Sequence, residues 1–596
     1  MRKGMEGNHR YGKWMRFAER VLFPLLLLLY PLLWADQGID VSDPLYSLTN
    51  FRFFPELSGT WAIATYLANV AGFLLMKLPF GDTLLGISLY TRLIISGMAL
   101  LSYFFLKGKM PAWAAFLGEL LAVSFCWCPS TILYNYLTYA LFLAGCILLY
   151  RGLIWNRNGL LVWAGVCLGL NVMVRTPNIA EAVLIVAVFY YGKQSGAAWK
   201  EMWRQTGLCV AGFFAGFLAV YGLIAVQYGP TAYFDMFASL SAYSSTDATY
   251  SPLSMITSIL SAYGSTLVWV MLLAVCALAG WIFFRILPNR LVTAGKVAYC
   301  LCIPVLFRLF WGRGMFTFTY YNYRSMYEWG MLLLYLTAAS CLAVLWDRRT
   351  FRRDRLLALI ILLSVAVTPI GSNNGTMPSL NNLFLAAPFT LWTFVRFLGR
   401  AGKKKTAFPA LALTGAVLLM TGIQGAGFRA CFAFGDGIYG EKRDTKVENS
   451  VILKGMKTRQ DNAQALEGLV GYVQNGASGV AVKENGGTAE ERGAALSAPL
   501  SGRALITFGN APGLNFLLDM PLALSHGWPD LDTYPAEQMK EELAALAGEG
   551  SRPAVIVYKE QGSMPKEEAK WEALESFLAE GTYALLYENE GYRVYG

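Results

Sequence analysis

Gly38-Ile39-Asp40-Val41-Ser42-Asp43-Pro44-Leu45-Tyr46 follows an apolar run, 20–36, that begins behind the basic flank Arg10, Lys13, Arg16 and Arg20. Two carboxylates at the end of such a run mark a water-facing loop at a membrane surface, because an ionised side chain is not left in hydrocarbon without a partner. Outward from this loop, apolar runs recur at 83–106, 111–128, 131–150, 159–174, 178–192, 206–226, 265–284, 293–311, 329–346, 356–370, 380–398 and 406–426. Each is near the ~20 residues that cross ~30 Å of hydrocarbon. Together with 20–36 they predict a polytopic α-helical membrane protein of about thirteen transmembrane helices.

Composition agrees. Of 596 residues, 56% are apolar and only 15% charged, with 17 Trp, 32 Tyr and 36 Phe, more apolar surface than a soluble domain of this length buries. The net charge of +10 does not imply nucleic acid, because the basic residues gather between the apolar runs. They lie at Arg2 to Arg20, Lys107/Lys109, Arg151/Arg157, Lys193/Lys200/Arg204, Arg285/Arg290/Lys296, Arg348 to Arg355 and Arg396 to Lys405. By the positive-inside rule these loops and the N-terminus are cytoplasmic, and an odd number of spans puts residues 427–596 outside. The first run lacks a small-x-small cleavage site before Asp36 and reads as an anchor rather than a cleaved signal.

Residues 59–78 are apolar enough to pass for another span, but Thr65, Tyr66, Asn69 and Gly72 recur at helical spacing and make one side polar. An interfacial helix is expected, since a crossing here would turn every later basic cluster outward. The membrane domain is therefore read as 1–426, with a first external loop and interfacial helix over 37–80. Beyond Gly427 the chain turns polar, with helices expected near 459–474, 536–547 and 566–580 and strands at Ala504–Phe508, Ala554–Tyr558 and Tyr583–Tyr587. This predicts a C-terminal extracytoplasmic α/β domain, 427–596, whose Gly509–Gly513 and Ser525–Asp532 segments are candidate contacts for an acceptor.

The chemistry-bearing residue types are few. The chain has two histidines, His9 and His526, which leaves no His-based metal cluster and no Ser/His/Asp triad within the apolar part. No metal and no cofactor are expected. Of ten cysteines, nine lie in or beside the apolar runs, and Cys126/Cys128 and Cys300/Cys302 lack the company of histidine. Neither a P-loop nor a well-placed dinucleotide fingerprint occurs, which argues against a nucleotide-driven pump or a direct user of nucleotide sugars. General-base work falls to a carboxylate.

A first external loop carrying Asp followed shortly by Tyr, as in Asp43-Pro44-Leu45-Tyr46, then an interfacial helix and a dozen further spans, resembles the GT-C superfamily of membrane glycosyltransferases. The dolichyl-phosphate-mannose-protein mannosyltransferase and aminoarabinose transferase-like group is most similar, and Val174-Arg175-Thr176-Pro177-Asn178 resembles an Arg-Pro segment of bacterial members. The acidic residue that often follows the Asp is Pro44 here, with Asp40 nearby. The resemblance implies a multi-pass enzyme of a bacterial plasma membrane and cell envelope. It would be an inverting hexosyl- or pentosyltransferase that moves sugar from a polyprenyl-phosphate donor to an extracytoplasmic glycan, lipid or protein acceptor.

Such a reaction needs a base at the acceptor hydroxyl and cations at the departing phosphate. Asp43, ahead of Asp40, is the candidate base, with Tyr46 and Glu56 as candidate substrate contacts. Arg52, Arg175, Arg308, Arg313 and Arg324 fall at the outer boundary, where cations are disfavoured unless an anion holds them. Structural readings stand beside these. Asp40 and Asp43 can build and cap a turn, Arg175 can pair with Glu181 and Arg324 with Glu328, and the aromatic run Phe316–Tyr323 can be an interfacial belt. Arg92 and Glu119, both within spans, can meet as a buried pair. A lipid-linked oligosaccharide flippase or exporter, or a polysaccharide polymerase, would also need many spans and external cations; no internal repeat favours a transporter.

The orientation is testable with a single thiol at Glu560. It is expected to react with a membrane-impermeant reagent in intact cells; labelling only after the membrane is opened would reverse the topology.

Overall fold

A computed structural model describes residues 12–56, 60–127, 131–246, 251–316, 324–431, 436, 442–476, 500–531, 534–559 and 568–596. The first apolar run is helical through a π-helical turn (Ala18–Leu22), α1 (Phe23–Leu29) and a 3-10 turn (Tyr30–Leu32). Three short helices follow, α2 (Asp43–Arg52), α3 (Thr60–Ala64) and α4 (Tyr66–Met76). The long helices are α5 (Leu84–Leu106), α6 (Ala112–Phe125), α7 (Leu133–Trp155), α8 (Asn158–Val174), α9 (Ile185–Ser195), α10 (Trp199–Tyr228), α11 (Ala232–Thr246), α12 (Pro252–Ile286), α13 (Val292–Gly312), α14 (Arg324–Trp346) and α15 (Arg352–Val367). The short α16 (Met377–Asn381) precedes α17 (Ala386–Ala401) and α18 (Phe408–Cys431). The expected boundary at 426/427 falls inside α18.

Helix is found at every apolar run, but length and apolarity suffice for a crossing in seven of the described helices. These are Leu84–Leu106, Leu133–Trp155, Trp199–Tyr228, Leu253–Ile286, Asn289–Gly312, Arg324–Trp346 and Lys405–Ala430. The remaining six of the thirteen expected spans form shorter helices. Two expectations are corrected. The polar side of 59–78 does not face water: α3 and α4 break at Thr65, and Tyr66, Asn69 and Gly72 are buried, leaving Leu74, Leu78 and Phe80 outermost. The stretch left between the expected spans 206–226 and 265–284 is largely helical, as α11 and the first turns of α12; residues 247–250 lie outside the described residues.

The bundle has a basic end. There Arg400 pairs with Asp347 at 3.0 Å, Arg396 with Asp354 at 3.5 Å, and Lys405 Nζ donates to the Leu287 carbonyl at 2.7 Å. These helix-end cations gather at one end of the bundle. Within the bundle, α8 and α10 approach through glycine: a Cβ added at Gly165 would lie 1.9 Å from the Cys209 carbonyl oxygen, and one at Gly212 2.0 Å from that of Val162. Small residues permit the backbone contact that substitutes for hydrophobic burial in lipid.

At the opposite end stands the α/β unit: β1 (Thr445–Lys446), β2 (Lys457–Thr458), α19 (Gln460–Asn475), β3 (Leu505–Phe508), α20 (Leu514–Leu518), α21 (Ala536–Gly548), β4 (Ala554–Tyr558), α22 (Glu568–Glu580), β5 (Leu585–Glu588) and β6 (Tyr592–Tyr595). The main sheet has the order β3-β4-β6-β5, with β3 and β4 parallel and the other pairs antiparallel. The expected helices and three strands occur, and β1, β2, α20 and β6 are additional to them. Strand alternation divides the side chains. Ile506, Phe508, Val555 and Val557 pack with Met539, Leu543, Leu574 and Phe577 of α21 and α22. Leu505, Ala554, Ile556 and Val594 face the other way and share one buried cluster with Leu466 and Val470 of α19 and with Ile39, Val41, Leu45 and Leu48 of the first loop. The α/β unit and the first loop therefore have a common core.

Gly513 sits at a close approach within that core, since a Cβ there would lie 2.2 Å from Leu45 Cβ and 2.7 Å from the Val41 carbonyl oxygen. Gly513→Val is expected to destabilise the junction by about 1–3 kcal/mol through overpacking. Limited proteolysis of residues 442–596 checks this; unchanged resistance would contradict the packing.

Candidate functional site

The backbone of 36–42 runs beside β2. Lys457 N donates to the Asp36 carbonyl at 2.7 Å and Gly38 N to the Lys457 carbonyl at 3.1 Å, while Lys457 Nζ pairs with the Asp36 carboxylate at 2.7 Å. Ile39 N donates to Asp436 Oδ2 at 3.3 Å, and Asn462 Nδ2 donates to the Ile39 carbonyl at 3.2 Å. Further along, Gly513 N donates to the Val41 carbonyl at 2.7 Å and the Thr49 hydroxyl to the Pro512 carbonyl at 3.0 Å. Five backbone groups of 36–42 and the Asp36 carboxylate are thereby engaged by the α/β unit, which fixes where α2 begins.

This frame separates the two acids. Asp40 Oδ1 accepts from Ser42 N at 3.0 Å and from the Ser42 hydroxyl at 2.5 Å, the local turn that aspartate builds readily. Asp43 is the first residue of α2, with Ser42 as N-cap and Pro44 next, whose fixed φ suits the first helical turn. Among the described residues the Asp43 carboxylate accepts no hydrogen bond and forms no ion pair. A helix N-terminus favours ionisation. Burial, and secondarily the charge of Asp40, outweigh this and push its carboxyl up to about 6.

Tyr46, one turn further along α2, faces the α/β unit. Its ring lies 5.4 Å from that of Trp528 and 6.3 Å from that of His526, stacked on the latter at 13°. His526 Nδ1 accepts from Trp528 N at 3.1 Å, and burial pulls its pKa down to about 4, so the imidazole is neutral at physiological pH. Asp530 accepts the Asn510 backbone N–H and so ties the 509–513 loop to the 525–531 segment. Burial raises its carboxyl above the usual range. Asp532 and the run 317–323 lie outside the described residues. The two C-terminal segments proposed as acceptor contacts are thus brought to α2, some 480 residues away in sequence, by pairing that no local pattern announces.

The arginines are dispersed. Arg52 is held by Asp519 through two bonds of 2.8 Å. Arg175 donates to the Gly371 carbonyl rather than pairing with Glu181, whose oxygens accept from Asn171 Nδ2 at 2.9 and 2.8 Å. Arg324 lies 3.6 Å from Glu328, as its i,i+4 spacing allows. Arg308 and Arg313, at the end of α13, are exposed and without a hydrogen-bond or ion-pair partner among the described residues. Glu56 is exposed at the end of the turn after α2.

The Arg92–Glu119 pair does not form. Arg92 donates to the Pro31, Leu33 and Trp34 carbonyls at 3.0, 2.8 and 3.3 Å, and Arg429 also reaches the Pro31 carbonyl, at 2.7 Å. Glu119 is fully buried, near Ser102 instead. No group of three or more His, Cys, Asp or Glu suited to a metal occurs among the described residues.

No protein-family model and no curated protein matches the sequence. Among solved structures, the chain is similar to the Archaeoglobus fulgidus oligosaccharyltransferase in complex with zinc and sulfate, at 13% identity and TM-score 0.41, over 91% of this chain and 67% of that one. It is also similar to the archaeal oligosaccharyltransferase AglB from Archaeoglobus fulgidus with an inhibitory peptide and a dolichol-phosphate, at 10% identity and TM-score 0.45, over 92% and 70%. A third is ArnT from Cupriavidus metallidurans bound to undecaprenyl phosphate, at 12% identity and TM-score 0.38, over 97% and 98%. Likenesses of this size leave function to be argued from the chain's own residues.

The raised carboxyl has a consequence for stability. It titrates near 6 when folded against 3.8 unfolded, so the stability it contributes is complete below pH 3.8 and lost as pH rises through 6. Asp43→Asn, which cannot ionise, is expected to melt above the parent at pH 8, the gap closing as pH falls through 6 and gone by about 4. Thermal unfolding in detergent at pH 4, 6 and 8 checks this; a pH-independent gap would contradict the burial.

Proposed function

We propose that this chain is an integral-membrane inverting glycosyltransferase of the GT-C kind, moving a sugar from a polyprenyl-phosphate donor to an extracytoplasmic glycan, lipid or protein. The observation that carries the reading is the Asp43 carboxylate, without a hydrogen-bond or ion-pair partner among the described residues and raised to about 6 where the first loop meets the α/β unit. A base works best with a pKa near the operating pH and with no internal partner to compete for the incoming proton. Asp40, engaged with Ser42, is the positioning acid whose charge raises Asp43.

In this reaction the acceptor hydroxyl gives its proton to Asp43 while its oxygen attacks the anomeric carbon from the face opposite the phosphate. The bond from that carbon to the phosphate oxygen breaks, the electron pair leaves with the polyprenyl phosphate, and the configuration inverts. Tyr46 and Trp528 offer aromatic faces beside the base, and such faces suit the C–H side of a sugar ring. Arg313 and Arg308 are available to meet the phosphate, Arg324 in part, and Arg52 and Arg175 only by leaving their present partners. The same reading keeps 427–596 outside the membrane, with 1–426 as the spanning domain and its N-terminus cytoplasmic.

Asp43→Asn keeps the shape and removes the base, so the transfer rate is expected to fall about 10²-fold or more with donor binding retained. In the parent, kcat/KM should rise with pH to a plateau with its midpoint near 6, and Asp40→Asn should move that midpoint down. Arg313→Ala should weaken donor binding, with only partial rescue by Lys, which lacks the planar fork. Transfer by purified Asp43→Asn at the parent rate would overturn the reading.

A further inference from the structure

A second feature lies at the same end of the bundle as Asp43. Between the first turns of α12, the start of α14 and the 371–377 loop is an open cavity of about 580 Å³. That is within the ~300–1,000 Å³ of small-ligand sites. α11, which leads into α12, packs on α3, the helix that follows α2. The cavity thus lies toward the start of α12, away from the basic end where α12 finishes.

Its wall is built from hydroxyls and amides. Ser258, Ser261 and Ser265 recur at helical spacing along one face of α12. Ser258 Oγ donates to the Met255 carbonyl at 2.8 Å and Ser265 Oγ to that of Ala262 at 3.0 Å, so both oxygens keep their lone pairs for the cavity. Opposite them, Asn373 Oδ1 is buried with no hydrogen-bond partner among the described residues. Tyr327 closes one side, its hydroxyl 2.9 Å from that of Thr376, which ties the loop to α14. Gly375 brings the same loop against α12, where a Cβ would lie 3.3 Å from Ala262 Cβ.

These groups define the ligand by what they lack as well as by what they offer. One cation, Arg324, borders the cavity, and Glu328 already stands 3.6 Å from it. A nucleotide or any polyanion would need more positive charge. A purely apolar ligand would leave the serine oxygens and the Asn373 amide without partners. A polyhydroxyl ring satisfies both limits: its hydroxyls donate to Ser258 and Ser265 and accept from Arg324.

We propose that this cavity is a sugar-binding site, taking one pyranosyl or furanosyl unit. That the unit arrives on a polyprenyl phosphate, rather than on a free glycan, rests on the glycosyltransferase reading above.

The test uses the full chain in nanodiscs and measures binding of three probes: undecaprenyl phosphate, hexosyl undecaprenyl phosphate and a free hexose disaccharide. Ser258→Phe fills the cavity, Asn373→Ala removes a lining amide side chain, and Leu260→Phe, on the same helix but not lining the cavity, is the control. Affinity for the hexosyl lipid is expected to fall tenfold or more in Ser258→Phe and severalfold in Asn373→Ala, with bare undecaprenyl phosphate and the control unchanged. A selective loss for the disaccharide alone would support the same sugar site with the acceptor as its source. Equal loss for bare and sugar-bearing lipid, or no loss at all, would overturn the proposal. Asp43→Asn separates the two readings: normal binding with normal transfer sinks the base and leaves the cavity, whereas unaltered binding in Ser258→Phe sinks the cavity and leaves the base.

Discussion

The architecture depends on an exchange of backbone hydrogen bonds between residues 36–42 and the α/β unit. Asp36, Gly38 and Ile39 are matched by Lys457, Asp436 and Asn462, and Val41 by Gly513. Each of these groups would otherwise need water or strain to stay in place. Because the main chain is held from across the junction, the carboxylates that hold the loop's shape are Asp36, paired with Lys457, and Asp40, bonded to Ser42. Asp43 can stand at the head of a helix without a partner among the described residues because these bonds, not its own carboxylate, position it.

Cations show the same economy in reverse. In surroundings of low polarity an arginine is placed by whatever acceptors lie in reach. Arg92 and Arg429 meet at one carbonyl, that of Pro31, and between them cap the frayed end of the first helix and the Cys126 carbonyl that ends α6. Two like charges at a shared acceptor are tolerated because the surrounding carbonyls supply the compensating negative ends. Arg52 pairs with Asp519 on the rim, where each is half exposed, so the pair contributes about 0–1 kcal/mol and acts more as a guide to register than as glue.

A further buried polar cluster joins α7, α8 and the 3-10 segment Thr176–Leu184. Asn178 Nδ2 donates to the Thr138 hydroxyl at 2.9 Å and to the Asn171 carbonyl at 3.0 Å, and Asn171 in turn holds Glu181. Asn171 Oδ1 is buried without a hydrogen-bond partner among the described residues, so the cluster is held through its amide donors, and it reads as structural. The proposed cavity differs in that its serine oxygens line open space.

What the sequence determined by itself was the part governed by local periodicity and length: a helix at each apolar run, the strands at 505–508 and 554–558, and an acid-bearing loop after the first helix. These depend on residues within a turn or two of one another, or on the transfer of a whole segment into lipid. Tertiary structure decided the pairings. Which of Asp40 and Asp43 stays unpaired, that Arg52 is claimed by Asp519, that Arg92 passes over Glu119 for three carbonyls, and that Tyr46 meets Trp528 all turn on segments tens to hundreds of residues apart. The polar side of 60–76 shows the limit plainly. Helical spacing revealed that Tyr66, Asn69 and Gly72 share a face, but whether that face meets water or protein is set by what packs against it, and here Phe51 fills the space over Gly72. A pattern of side chains reports a difference between two faces; only the neighbours decide which solvent each face finds.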